Sequence, residues 1–100
     1  KEEVTDMSNM FNRCEQLQEI NLKSFNTKKI EDMSYMFMKC EKLREINLSS
    51  FDTINLEILS FMFEHCSSIE KIDLSTFNIE NATRKIGLFQ NCFSLKEIIY

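Results

Sequence analysis

Apolar residues in this chain recur on a fixed step. Cys14, Cys40, Cys66 and Cys92 are 26 residues apart, and Phe11, Phe37, Phe63 and Phe89 keep the same spacing. So do Ile20, Ile46, Ile72 and Ile98, and so do Phe25, Phe51 and Phe77. In that register the chain divides into units 4–29, 30–55, 56–81 and 82–100, and the first two agree at 15 of 26 positions. Such agreement without an insertion marks an internal repeat. The reading is a single domain over residues 1–100, a piece of a longer array.

Each unit carries two hydrophobic periods. Met7, Met10, Phe11 and Cys14 fall at i, i+3, i+4 and i+7, the spacing of one helix face. Met33, Met36, Phe37 and Cys40 repeat it, as do Leu59, Met62, Phe63 and Cys66. Asp6, Ser8, Asp32 and Ser34 are candidate N-caps. The period then becomes two: Ile20 and Leu22 share one side of a predicted strand, and Glu19 and Asn21 the other. Ser24, Phe25, Asn26 and Thr27 follow as a polar corner with one aromatic turned inward. The chain has one Gly and no Pro. Its corners must therefore come from Ser, Thr, Asn and Asp, which bond nearby backbone groups.

A seven-residue helix does not stand alone in water, and one unit cannot bury its apolar face. The pattern therefore predicts an α/β repeat solenoid. Its expected form is a right-handed superhelix of about four coils, with a parallel sheet on one face and short helices on the other.

The string C-x-x-L-x-x-I-x-L-S-S-F-x-T followed by D-M-S-x-M-F-x-x-C resembles the BspA-type leucine-rich repeat in its 26-residue surface-protein form. The resemblance covers residues 4–100 and is weakest in the fourth unit, where Arg84 and Lys85 replace the Asp and Met of earlier units. It implies a leucine-rich-repeat solenoid from a surface protein, with adhesion or protein binding as its role. It implies a cell-surface or extracellular location; an intracellular assembly is the other setting consistent with the residues.

Composition narrows the function classes. Hydrophobic residues make up 43% of the chain and charged residues 28%, enough for a core and too apolar for disorder. The net charge of −4 is spread over interspersed acids and bases, which argues against a nucleic-acid surface. No apolar run is long enough for a membrane-spanning helix, so no membrane insertion is expected of this segment. No signal peptide is visible at the start, and a chain opening on Lys1 reads as processed or excised.

The residues that could carry chemistry do not converge. Cysteines 26 apart lack metal-ligand spacing, and stacked equivalents point the same way rather than at each other. They read as a buried column of free thiols. His65 is the lone histidine, at a position that is Arg13, Lys39 and Asn91 elsewhere. No nucleophile–base set or phosphate loop is present, so neither an enzyme nor a cofactor is expected.

What remains is a protein partner, and three candidate surfaces. The open strand face presents Arg44, Lys71 and Asp73. The helix face presents Tyr35 and Phe61. The C-terminal end presents Phe93, Ile99 and Tyr100 beside a predicted unpaired edge, and is the expected site of the strongest contact. The leading expectation is a non-catalytic binding or adhesion module; a structural scaffold subunit of a larger assembly is the alternative.

Overall fold

The computed structural model describes residues 4–100. Its backbone donors are used in two directions. The N–H groups of Met7, Asn9, Phe11 and Arg13 donate to the carbonyls of Asp32, Ser34, Met36 and Met38, at 2.9, 3.0, 2.9 and 2.7 Å. The N–H groups between them turn back on their own segment. Met10 donates to Met7, Asn12 to Asn9 and Cys14 to Phe11. The same alternation joins residues 33–39 to 58–64, and residues 59–65 to 84–90.

This arrangement needs a backbone that no α-helix has. Asn9 and Arg13 have φ of 62°, and Tyr35, Lys39, Phe61 and His65 lie between 57° and 61°. Gly87 (66°) and Asn91 (62°) complete the two columns. A helix requires φ near −60° throughout, so a left-handed residue at every fourth position stops it and leaves tight turns.

The expected α/β solenoid is therefore corrected. Among the described residues there is no α-helix, and the only helical piece is a 3₁₀ turn at Ile79–Asn81. The only sheet among the described residues has two strands, β1 (Lys71–Asp73) and β2 (Glu97–Ile99), paired in parallel with Ile72 opposite Ile98. The molecule is a small globular body of 38 × 26 × 20 Å. Residues 19–21 and 45–47, the predicted strands of the first two units, form no sheet. Strand preference favours the last segment, where residues 97–99 read Glu-Ile-Ile, but it does not separate β1, Lys-Ile-Asp, from the earlier Glu-Ile-Asn segments. The expected N-caps also change role. The Asp6 and Asp32 carboxylates accept from the N–H groups of Ser8 and Ser34, each at 2.8 Å, closing turns rather than capping helices.

The inward set survives this correction, because the turns bury the same positions. Met33, Met36, Phe37 and Cys40 are fully buried, as are Leu59, Met62, Phe63 and Cys66. Phe11, Phe37, Phe63 and Phe89 form one column of rings, with centroids 5.4, 5.7 and 6.0 Å apart and planes within 12°. Met10 is the exception: it is 47% exposed, because no segment covers that side of the first unit among the described residues. Buried threonines tie the corners together. Thr27 Oγ1 donates to the Asp52 carbonyl at 3.0 Å and accepts from the Asp52 N–H at 2.8 Å. Thr53 does the same for Thr76 and Asn78, at 3.2 and 2.9 Å.

Candidate contact surfaces

The structure separates the expected site residues into three places. Arg44, Lys71 and Asp73 come together. They line a groove of about 670 Å³ with Glu45, Ile46 and Glu70, between residues 44–46 and β1. The groove carries both signs of charge and no aromatic side chain. Asp73 is held below the usual carboxylate value by hydrogen bonds from Ser75, first the hydroxyl and then the backbone N–H.

Tyr35 and Phe61 stack on each other away from that groove, with centroids 5.4 Å apart and planes at 12°. Both are left-handed residues, and the column ends at Gly87, directly beneath the Phe61 ring. A Cβ at Gly87 would lie 2.3 Å from Phe61 Cε1. Glycine is required there by contact, and it also takes the left-handed backbone without the strain that Asn9, Tyr35 and Phe61 carry at the same position.

The C-terminal unit supplies the most exposed apolar side chains. Phe93 is 74% exposed, Tyr100 77% and Ile86 72%. Ile99 is half-buried, and its carbonyl accepts from Leu74 N–H at 2.7 Å, so one side of β2 is paired. Phe93 also meets the His65 ring edge-on at 5.8 Å. His65 lies between Glu41 and Glu64, at 3.5 and 3.6 Å. That cluster was not foreseen, because its members come from three different units and only one of them, Phe93, is apolar.

The cysteines are free thiols, two buried and two half-buried. Cys40, Cys66 and Cys92 each donate to the carbonyl of the Phe 29 residues earlier, at 3.2, 3.1 and 3.0 Å. Burial pushes the Cys40 thiol up to about 11 and Cys66 higher still, the direction that suppresses thiolate chemistry. No group of three His, Cys, Asp or Glu side chains is placed to hold a metal among the described residues. No helix among them is long and apolar enough to cross a membrane.

Fold and surfaces together define a class: a small, almost helix-free domain tied by main-chain bonds between segments 26 residues apart, with its largest apolar exposure at one end. Residues 1–100 match the family described as "Mycoplasma protein of unknown function, DUF285", and the chain belongs to that family. No curated protein and no solved structure matches it.

Proposed function

We propose that this chain is a non-catalytic protein-contact module of a surface protein, as its resemblance to BspA-type sequences implies, and that its principal contact is made at the C-terminal end. The observation that carries the reading is the exposure of Phe93 and Tyr100, 74% and 77%, in the same unit as Ile86, itself 72% exposed. Large apolar side chains grouped at one end mark contact sites, and aromatics contribute most to such contacts. The charged groove at Arg44 is the weaker candidate, since exposed ion pairs add little affinity.

The test is site-specific photo-cross-linking of the protein in its own cells. A photoreactive phenylalanine analogue is placed at position 93 and, in a second sample, at position 44. The expected result is a protein adduct through position 93, with less through position 44. An adduct through 44 alone moves the contact to the groove. The absence of a protein adduct at both positions overturns the contact reading.

A further inference from the structure

One histidine joins side chains of three units. His65 Nε2 lies 3.5 Å from a carboxylate oxygen of Glu41, and His65 Nδ1 lies 3.6 Å from a carboxylate oxygen of Glu64. The Phe93 ring meets the imidazole at 85°, with centroids 5.8 Å apart. Glu41 belongs to the second unit, Glu64 and His65 to the third, and Phe93 to the fourth.

A neutral imidazole carries one N–H. It can donate toward one of the two carboxylates and then turns a lone pair toward the other. An imidazolium donates toward both. Glu64 adds to this demand. Its side chain is 12% exposed, its carboxylate accepts from Asn91 Nδ2 at 3.2 Å, and its ion-pair partner among the described residues is His65. A carboxylate so far withdrawn from water is stabilised by a positive charge beside it. The charge of Lys39 works against the proton, since Lys39 precedes His65 in its column and its N–H donates to the Glu64 carbonyl at 2.8 Å. Cys66 and Cys92 also lie against Glu64, and burial raises both thiols, so they stay neutral.

We propose that proton uptake by His65 is a latch on the Phe93 contact: the imidazolium bridges Glu41 and Glu64, its ring is fixed between them, and Phe93 is held against it in the orientation the partner meets. This rests on the contact reading above and adds the regulation of that contact by pH. Histidine changes charge between about pH 5 and 8, so the latch closes on mild acidification. A side chain already held in its bound orientation loses less freedom on binding, so the contact through Phe93 strengthens as pH falls. Ion pairs at exposed sites shift an equilibrium by up to about fivefold, which bounds the effect.

The experiment has two readings, and both profit from there being one histidine in the sequence. In the first, NMR follows the ring signals of His65 and Phe93 in the wild-type chain from about pH 8 to about pH 5. The Phe93 signals should move with the same midpoint as those of His65. In His65→Asn, which installs the residue found at the equivalent position 91, they should stay still. In the second, the photoreactive analogue at position 93 is cross-linked in cells at about pH 7.5 and about pH 5.5. The yield of protein adduct should rise by up to about fivefold at the lower pH and stay level in the His65→Asn background.

Phe93 signals that do not follow the His65 midpoint overturn the proposal. Equal yields at the two pH values also overturn it and leave the contact reading standing, whereas no adduct at either pH sinks the contact reading itself. Should His65→Asn not fold, Glu41→Gln takes its place, since the Glu41 side chain is 45% exposed and fills no core position. The response of Phe93 to pH should then shrink, and an undiminished response overturns the latch.

Discussion

Replacing Phe37 by Ala should be among the most destabilising single changes in this chain. The side chain is fully buried and lies between the rings of Phe11 and Phe63, at 5.4 and 5.7 Å. Truncating a buried Phe removes its transfer energy and leaves a cavity, together about 3–5 kcal/mol. Two stacked pairs are lost as well, each worth about 0.5–1.5 kcal/mol beyond burial. Because these contributions overlap, the expected loss lies in the upper part of that range, about 4–5 kcal/mol. That is most of the stability of a chain at the low end of the usual ~5–15 kcal/mol. Phe11→Ala is the internal control. It sits in the same column, but it is half-buried at the edge, so the same truncation should cost about 1–2 kcal/mol. Calorimetry should place the Phe37→Ala midpoint at least about 15 °C below wild type. Urea titration should lower the transition midpoint without changing its slope. Equal losses for the two variants would refute the reasoning, because the column would then have no interior.

Three further outcomes follow from the geometry. At pH 8 a thiol reagent should label half-buried Cys14 well before Cys40 and Cys66, whose thiols are raised by burial; rapid native labelling of Cys66, read by peptide mass spectrometry, would contradict this. Gly87→Ala should cost about 1–2 kcal/mol from its left-handed backbone alone, with a further loss as the Phe61 ring is displaced, and an unchanged melting curve would show that the Tyr35–Phe61–Gly87 column is misplaced. Asp6 and Asp73 are held below their ordinary values by bonds from Ser8 and Ser75, so they favour the folded state above the ordinary carboxylate value of about 4, and that contribution is lost as pH falls through their lower folded values. Ser75→Ala should flatten the acid limb of stability against pH, and an unaltered limb would remove Asp73 from that account.

Much of the core was legible in the amino-acid sequence. The ladders of Phe37 with Phe63 and of Cys40 with Cys66 follow from identical spacing. The end bearing Phe93 and Tyr100 was legible too, since Phe93 replaces Glu15 and Glu41 of the earlier units. The secondary structure was misread for a definite reason. Apolar residues at i, i+3, i+4 and i+7 satisfy a helix, but paired left-handed turns present the same positions inward. The sign of those turns was available in Asn9 and Gly87 in one column and Asn91 in the other, residues that tolerate positive φ. Tyr35, Phe61, Lys39 and His65 in those columns obscured it. The thiol–carbonyl bonds and the alternating donors belong to the backbone path, which side-chain identity does not encode. The unpaired segments at 19–21 and 45–47 were hidden for a related reason, since their apolar alternation equals that of β1.

Amide hydrogen exchange, resolved residue by residue, tests the central claim most directly. The account holds that alternate N–H groups tie each unit to the next, and that those of the last unit have no acceptor among the described residues. In dilute solution the amides of Tyr35, Phe37, Phe61 and Phe63 should exchange at the slow rates of globally protected groups. Those of Gly87, Phe89 and Asn91 should exchange quickly. Fast exchange at Phe37 and Phe63, or full protection of Gly87, Phe89 and Asn91 in the 100-residue chain, would contradict the account.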